Sequence, residues 1–217
     1  MNSFTEENYL KAIYKFSLTT KKGVSTNTIA KKLNTKASSV TDMLKKLATK
    51  NLINYKKYYG VTLTSKGEQI ALSVIRNHRL WEVFLVEKLN FKWDEVHDLA
   101  EELEHIKSEK LINNLDAFLN FPTNDPHGDP IPNKNGKIKN LKMINMSELK
   151  ANEEGIFVYV KDSSDKFLKY LSKNKLEIGE RIKILEIEPF DNSFKIAYNN
   201  QQLILSESIA KNIYIQS

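Results

Sequence analysis

The 217-residue chain contains no cysteine, which excludes disulfide scaffolds, thiolate zinc sites, iron–sulfur clusters and cysteine nucleophiles. It also lacks long apolar runs: stretches such as Val83-Phe84-Leu85-Val86 fall far short of the ~18 residues that span a bilayer. The N-terminal residues lack the basic and then apolar segments of a secretory signal. We therefore expect a soluble, cytoplasmic protein with no membrane partner.

Acidic residues are scarce in the first third of the chain. Residues 1–75 contain thirteen lysines and four acidic residues, a net charge of +9, whereas residues 76–217 carry a net charge of −3. This asymmetry favours a polyanion-binding module followed by a cation-binding one. The alternative is that both are ordinary solvated faces.

The first 65 residues have the pattern of three helices and a hairpin. Ser3 and Glu6 have capping-box spacing at the start of the first helix. The third helix carries apolar residues at i, i+3, i+4 and i+7 from Val40 to Leu47. Alternating residues over 53–63 then predict a hairpin with a basic and aromatic tip. Together they predict a winged helix-turn-helix.

In this motif the polar face of the recognition helix enters the major groove and the wing contacts the backbone. We therefore predict binding to a double-stranded DNA operator; the alternative is a small helical domain with a solvated lysine face. Lysines supply phosphate contacts, and Ser, Thr and Asp groups reach base edges. The predicted DNA contacts are Lys36, Ser38, Ser39, Thr41, Asp42, Lys45, Lys46, Lys56, Lys57 and Tyr58.

Helices are also predicted in the middle of the chain. Ser65 and Glu68 have capping-box spacing before a helix that extends to about Leu89, and a second helix is predicted over 93–110. Apolar residues such as Trp81 and Phe84 exceed what a helical hairpin buries, so we expect a homodimer. Pro-rich residues 122–136 read as a linker, and alternating strands beyond them predict a small barrel.

A candidate metal site lies in this middle region. Glu101, Glu104 and His105 share one face of the predicted 93–110 helix, with His97 one turn upstream. The preceding helix adds a second pair, His78 and Glu82 at i and i+4. Oxygen and nitrogen ligands suit Mn(II) or Fe(II) better than Cu(I) or structural zinc. The alternative is that these residues are ordinary solvent-exposed side chains, because Glu–His pairs are common on exposed helices.

These segments resemble the diphtheria toxin repressor and manganese transport regulator family of metal-dependent transcriptional repressors, over essentially the whole chain. The resemblance rests on Glu6-Glu7-Asn8-Tyr9-Leu10, Ser38-Ser39-Val40-Thr41, Leu63-Thr64-Ser65-Lys66-Gly67, His78-Arg79-Leu80-Trp81-Glu82, Val96-His97-Asp98, Glu101-x-x-Glu104-His105 and Asp125-Pro126-His127-Gly128-Asp129-Pro130-Ile131-Pro132. The C-terminal segment resembles the SH3-like, FeoA-like domain of longer members.

The resemblance implies a mainly α fold with a small β domain. The implied domains are 1–65, a winged helix-turn-helix; 66–121, a helical metal-binding and dimerisation domain; 122–142, a linker; and 143–217, an SH3-like (FeoA-like) barrel.

The resemblance also implies two metal sites. One comprises Asn8, Glu101, Glu104 and His105. The other comprises His78, Glu82, His97 and, from the barrel, Asp162; some relatives also take ligands where Asp125 and His127 stand, although a plain turn is the alternative there.

Glu101 stands where iron-responsive relatives have Cys, so Mn(II) is the expected metal, with Fe(II) as the alternative. Asn8 is a weaker ligand than the carboxylate of manganese-responsive relatives. Lys11 replaces a Glu of the short manganese regulators, so their two-metal cluster is not expected here unchanged.

The implied function is a metal-dependent repressor of metal-ion uptake genes, in which metal shifts the population toward the DNA-competent dimer. Two other functions stay open. One is a metal hydrolase with an accessory winged helix, against which no nucleophile elbow, phosphate loop or separate general base is found. The other is a DNA-binding protein whose His/Glu cluster is purely structural. We expect no enzymatic activity.

Overall fold

The computed structural model describes residues 2–20, 23–56, 59–139 and 142–216; the predicted DNA contacts Lys57 and Tyr58 therefore lie outside the described residues. The chain divides into two compact units. The first unit comprises Met1–His78, Glu101–Asn114 and Pro132–Ile138, and the second comprises Arg79–Ala100, Leu115–Ile131 and Lys139–Ser217. Among the described helices, none combines the length and apolar character needed to cross a membrane.

The chain begins with three helices: α1 (Phe4–Ser17), α2 (Thr26–Lys32) and α3 (Ala37–Thr49). The predicted capping box is present, because Ser3 Oγ accepts from Glu6 N and the Glu6 carboxylate accepts from Ser3 N. Ser25 caps α2 in the same way, accepting from Thr28 N.

A two-stranded antiparallel wing follows, formed by β1 (Ile53–Lys56) and β2 (Gly60–Leu63). Gly60 adopts φ +90°, and a Cβ there would lie 2.7 Å from the Gly23 backbone, so glycine is required on both counts. The first unit's core packs the apolar faces of α1, α2 and α3 with the wing and the start of α4 (Ser65–Leu89). The predicted winged helix-turn-helix pattern is thus present in the described residues.

Two details of the middle helices differ from prediction. The cap of α4 is Thr64, whose Oγ1 accepts from Gly67 N, whereas Ser65 is already the first helical residue. The single helix predicted over 93–110 is wrong: α5 spans His97–Leu103 and α6 spans Glu109–Phe118. Ser108 explains the break, because its Oγ accepts from Leu111 N and starts a new helix.

Asparagine, rather than glycine, follows several helix ends in this chain, which has only seven glycines. Asn34, Asn51, Asn90 and Asn120 all have positive φ values, between 47° and 59°, just beyond the ends of α2, α3, α4 and α6. Asparagine tolerates the left-handed conformation that ends many helices. These helix ends are therefore encoded locally.

The C-terminal part of the second unit is a six-stranded antiparallel sheet with the order β3-β8-β4-β5-β6-β7. Its strands and helices are β3 (Ile144–Asn145), β4 (Glu154–Val160), α7 (Asp165–Lys173), β5 (Arg181–Ile187), β6 (Phe194–Tyr198), β7 (Gln201–Leu205), α8 (Glu207–Ala210) and β8 (Ile213–Gln216), with a 3-10 turn at Met146–Glu148. Alternate strand residues such as Ile182, Ile184, Phe194 and Ile196 are buried against α7. The predicted fold class, helical domains with a small SH3-like β domain, is confirmed.

Candidate metal centres and DNA-binding face

The recognition helix α3 presents a polar face to solvent. Val40, Leu44 and Leu47 are fully buried, which leaves the opposite side of the helix exposed. Predicted DNA contacts that are exposed in the structure are Lys36, Ser38, Ser39, Asp42, Lys45, Lys46 and Lys56. Thr41 is half-buried, and its Oγ1 donates to Ala37 O within α3. Hydroxyl and ammonium groups of this kind suit phosphate and base-edge contacts.

Lys46 also has an intramolecular partner. Its Nζ lies 3.0 Å from Glu6 Oε1, and Lys50 Nζ lies 2.8 Å from the same oxygen. Burial raises the pKa of Glu6, but the hydrogen bonds from Lys50 and Lys46 outweigh it and lower that pKa to about 2. Glu6 therefore anchors α3 to α1 and ties the Lys46 ammonium to the protein.

A cluster of charged side chains, here called the first cluster, lies inside the first unit. It comprises Lys11, Glu101, Glu104 and His105, together with Glu7 and His78. Lys11 Nζ lies 2.7 Å from both Glu104 oxygens and 3.0 Å from Glu101 Oε1. His78 Nδ1 lies 2.7 Å from Glu104 Oε2. The Glu104 carboxylate, 1% exposed, is thus surrounded by cationic and imidazole groups.

Glu7 orients His105 in this cluster. His105 Nδ1 lies 2.7 Å from Glu7 Oε2, so the Nδ1–H donates to this carboxylate and Nε2 is the ring nitrogen left for another ligand. Nε2 lies 3.6 Å from Glu104 Oε1. Metal-binding histidines are commonly fixed by a carboxylate on their other nitrogen. A cavity of about 790 Å³ lies beside Glu7, Glu104 and His105.

The donor set of the first cluster fits a divalent cation. Asn8 Oδ1 is buried and has no hydrogen-bond partner, which is costly unless a cation or water satisfies it. Carboxylate, amide and imidazole groups are oxygen and nitrogen donors of the kind that suits Mn(II), although here the Glu104 oxygens are paired with Lys11 and His78.

A second cluster lies inside the second unit. Glu82, Asp125 and His127 are buried, and one ligand atom from each lies within 4.8 Å of the others. His127 Nδ1 lies 3.7 Å from Glu82 Oε2 and 4.0 Å from Asp125 Oδ1. Three buried donors at this spacing also fit a divalent cation.

The backbone orients His127 as Glu7 orients His105. His127 Nε2–H donates to the carbonyl of Trp93 at 2.8 Å, which leaves Nδ1 facing the two carboxylates. Burial lowers the pKa of His127, but the hydrogen bond and charge of Glu82 and the charge of Asp125 raise it to about 9. Burial, then the charges of Glu82 and Asp129, raise the pKa of Asp125 to about 8. The negative charges of Glu82 and Asp125 thus act on His127, and those of Glu82 and Asp129 add to the effect of burial on Asp125; negative charge gathered in this way favours a cation.

The turn that carries Asp125 and His127 is held on both sides. Asp125 Oδ1 accepts from the backbone N–H groups of His127 and Asp129, each at 2.9 Å. Val160 N donates to His127 O at 3.0 Å, which fastens the turn to β4. Gly128 has φ +88°, and a Cβ there would lie 2.0 Å from Val158 O. The sequence left open whether Asp125 and His127 belong to a plain turn or are metal ligands. The structure shows a turn, and this turn holds both side chains in position, so the two interpretations are compatible.

The remaining predicted ligands have other environments. His97 is half-exposed, with Nδ1 3.6 Å from Glu82 Oε1 in the second unit. Asp162 Oδ1 accepts from Ser164 N just before α7, and the described donor group of the second unit does not include it. Glu7 was missed by sequence reasoning, although its place beside Asn8 on α1 could have suggested it.

A winged helix, a helical region with oxygen and nitrogen donor clusters and an SH3-like sheet are the features of a metal-dependent DNA-binding regulator. Three family models match the chain: the iron-dependent repressor N-terminal DNA-binding domain over residues 2–61, the iron-dependent repressor metal-binding and dimerisation domain over 64–133, and the FeoA domain over 144–217. The chain belongs to the iron-dependent repressor family of metal-dependent transcriptional repressors.

The relatives include both manganese and iron regulators. A solved manganese-dependent transcriptional repressor in complex with manganese is 32% identical, with a TM-score of 0.85 over 98% of this chain and 99% of its own. The HTH-type transcriptional regulator MntR of Oceanobacillus iheyensis is 32% identical over 68% of this chain and 93% of its own length. The iron-dependent repressor IdeR of Mycobacterium leprae is 32% identical over 67% of this chain and 66% of its own length.

Proposed function

We propose that this protein is a manganese-activated repressor that binds operator DNA as a homodimer and controls metal-uptake genes. The observation that carries the proposal is the buried Glu82–Asp125–His127 cluster, an oxygen and nitrogen donor set in a chain with an exposed recognition helix. The manganese-bound relative supports the choice of metal. The proposal assigns no enzymatic activity to the chain.

Two sets of residues are proposed to hold metal. In the first unit, Asn8, Glu101, Glu104 and His105 supply donors, while Glu7 orients His105. In the second unit, Glu82, Asp125 and His127 supply donors, and His97 and Asp162 are proposed as outer members. His78, in the first unit, is proposed as a partner of Glu104. A divalent ion held by either set would supply positive charge to the carboxylates of that set.

The absence of a thiolate distinguishes this donor set from softer ones. Carboxylate and imidazole donors do not favour Cu(I) or structural zinc, and they accept Mn(II) and Fe(II). Selectivity between these two ions rests on geometry and availability, because both prefer similar ligands. Fe(II) is therefore the second candidate signal, supported by the iron-dependent relative.

Exposed apolar residues in the second unit support self-association. Leu89, Phe91, Phe118 and Phe121 are between 36% and 65% exposed, more apolar surface than a monomer needs to show. A twofold dimer places two recognition helices on a two-part operator. Light scattering on the Phe118→Glu variant tests this: a monomer is expected where the wild type is a dimer.

Operator binding measured by fluorescence anisotropy tests the function. Mn(II) is expected to tighten binding by ~5- to 150-fold relative to EDTA-treated protein, the usual range of allosteric coupling. Parallel titrations with Fe(II) and Zn(II) rank the metals. The His105→Ala and Glu101→Ala variants report on the first cluster, and His127→Ala reports on the second.

Two outcomes would redirect the proposal. Operator affinity that is equal in Mn(II) and in excess EDTA, with normal folding, contradicts metal activation and favours a purely structural cluster. A larger response to Fe(II) than to Mn(II) under anaerobic conditions favours the iron-dependent reading. The operator itself can be selected from random DNA, because target sequences are read by side chains rather than by the fold.

A further inference from the structure

We propose that Glu6 withholds Lys46 of the recognition helix from DNA. The Glu6 carboxylate competes with backbone phosphates for this ammonium and so lowers the part of the DNA affinity that is independent of sequence. The inference rests on the proposed function for DNA as the ligand of α3. It gives Glu6, which lies on α1, an affinity-setting role that requires no contact between Glu6 and DNA.

Lys46 lies on the side of α3 that is expected to meet DNA. It follows Ser39 by seven residues and Asp42 by four, and these spacings place the three side chains on one stripe of the helix. All three residues are exposed. An ammonium on this stripe, if it had no partner in the protein, would attract backbone phosphates.

Glu6 supplies the competing anion. Lys46 Nζ lies 3.0 Å from Glu6 Oε1, and Lys50 Nζ lies 2.8 Å from both Glu6 oxygens. The same carboxylate accepts from Ser3 N at 3.1 Å, which fixes it at the start of α1. One carboxylate thus balances one of the two ammonium charges at this end of α3.

Burial of the carboxylate strengthens its hold on Lys46. The Glu6 side chain is 1% exposed, so water screens its charge less than it screens an exposed carboxylate. Lys46 contacts one oxygen and is 55% exposed, whereas Lys50 contacts both oxygens and is 38% exposed. Lys46 is therefore the ammonium that can exchange between Glu6 and DNA, while Lys50 keeps Glu6 paired.

A lower baseline affinity suits a regulated DNA-binding protein. Phosphate contacts add affinity for every duplex alike, because they carry no sequence information. A repressor with a high baseline would stay on DNA whether or not it is activated. By holding back one phosphate contact, Glu6 leaves more of the control of DNA occupancy to the activating metal.

The salt dependence of binding to a duplex of unrelated sequence tests the proposal. Fluorescence anisotropy is measured on full-length protein in one Mn(II) buffer for all variants. Glu6→Gln keeps an acceptor for Ser3 N, since glutamine also serves in capping boxes, but releases the ammonium. We expect the slope of log affinity against log salt to steepen by about 0.9, which makes the affinity loss between about 50 and 200 mM salt about threefold larger.

Two further variants identify the cause of that change. Glu68→Gln makes the same charge change at an exposed position of α4 and should leave the slope unchanged. Lys46→Gln should leave the slope unchanged in the wild type but return it to the wild-type value in Glu6→Gln. A purely structural role of Glu6 would change stability without this dependence on Lys46.

Three results would overturn the proposal: equal slopes for wild type and folded Glu6→Gln, an equal rise in Glu68→Gln, or a rise that persists when Lys46→Gln is added. If Glu6→Gln does not fold, Lys46→Gln alone decides, because a slope reduced by about 0.9 means that Lys46 already contacts phosphate in the wild type. Failure of the proposed function appears separately, as metal-independent operator binding by the wild type.

Discussion

The two clusters balance their buried negative charge in different ways. In the first cluster, the Lys11 ammonium and the His78 imidazole each lie 2.7 Å from the Glu104 carboxylate, so a fixed protein cation is paired with this buried charge. In the second cluster, Asp125 faces the charges of Glu82 and Asp129, and its pKa is raised to about 8. Arg79 Nε, 3.5 Å from Asp125 Oδ2, and the His127 imidazole, whose pKa is raised to about 9, offset this only in part. The first cluster is paired by a fixed ammonium, whereas the second relies on a more distant guanidinium and on an imidazole that can give up its proton to a metal ion.

This difference has a consequence for mechanism. A ligand stabilises a state by its differential affinity for that state, so the site that gains most from metal is the one whose negative charge is less fully balanced without it. By this criterion the second cluster is the stronger candidate for the sensing site. The first cluster is then the more permanent connection within its own unit.

The largest expected effect comes from removing the Glu104 charge. Glu104→Gln leaves Lys11 buried without its main partner, and breaking a buried pair in this way costs about 3–5 kcal/mol. Glu101→Gln is the matched control, because Glu101 is half-exposed and its pair with Lys11 is screened, worth about 1 kcal/mol or less. Urea unfolding in EDTA measures both. Equal losses would contradict the pairing described for the first cluster.

The opposite sign is expected in the second cluster. Asp125→Asn keeps the Oδ1 acceptor for the His127 and Asp129 amides and replaces a carboxyl group whose ionisation is disfavoured by burial and by the charges of Glu82 and Asp129. We expect stability in EDTA to stay within about 0.5 kcal/mol of wild type or to rise, because the amide resembles the protonated acid.

Added Mn(II) should separate this variant from the wild type. The wild-type melting temperature should rise in Mn(II), since a ligand that binds only the folded state stabilises it. In Asp125→Asn this rise should be smaller, because most of the contribution of the second cluster is lost. Asp162→Asn is the control, because Asp162 Oδ1 accepts from Ser164 N just before α7 and Asp162 lies outside the described donor group. A large destabilisation of Asp125→Asn in EDTA would contradict the incomplete charge balance described for the second cluster.

An Asp125→Cys variant probes ligand chemistry at the same position. A thiolate is a softer donor than a carboxylate, so the preference of the second cluster should move from Mn(II) toward Zn(II) or Cd(II). Competitive binding with a metal indicator measures the ratio of affinities, which we expect to change by about tenfold, roughly 1.4 kcal/mol. An unchanged ratio would mean that Asp125 does not contact the ion.

Local pattern made much of the fold predictable. The capping box at Ser3, the apolar stripe from Val40 to Leu47 and the alternating strands of the sheet are short-range signals, and each predicted element is present. The break between α5 and α6 was missed, because apolar spacing continues through it and only Ser108 marks the new start.

The sequence predicted which residue types form the candidate sites, but not which side chains contact each other in them. Histidine and glutamate spacing pointed to the right side chains, yet His78 contacts Glu104, a residue 26 positions away, and Glu7 orients His105 across 98 positions. Such pairings depend on tertiary packing, which periodicity along one helix does not contain. The ammonium of Lys11 illustrates the point, because its partners lie 90 and 93 residues away.

A small effect is expected at Phe4, one of two aromatic rings that stack on histidines of the clusters. Phe4 stacks on His105 with ring centroids 4.7 Å apart, and Trp93 stacks on His127 at 6.1 Å. Trp93 Nε1 also donates to Ser172 Oγ at 2.7 Å, which connects the second cluster to α7. Phe4→Leu, at a position 60% exposed, should change unfolding free energy by less than about 0.5 kcal/mol.

Trp93→Phe should cost more, about 1 kcal/mol, because it removes a hydrogen bond while keeping a ring beside His127. Ser172→Ala removes the same bond from the other side, so the double variant should cost little more than either single change. Urea unfolding of the four proteins measures this coupling. Fully additive losses would mean that the Trp93 indole does not connect His127 to α7. The ring beside His127 would then stabilise the second cluster no more than Phe4 stabilises the first.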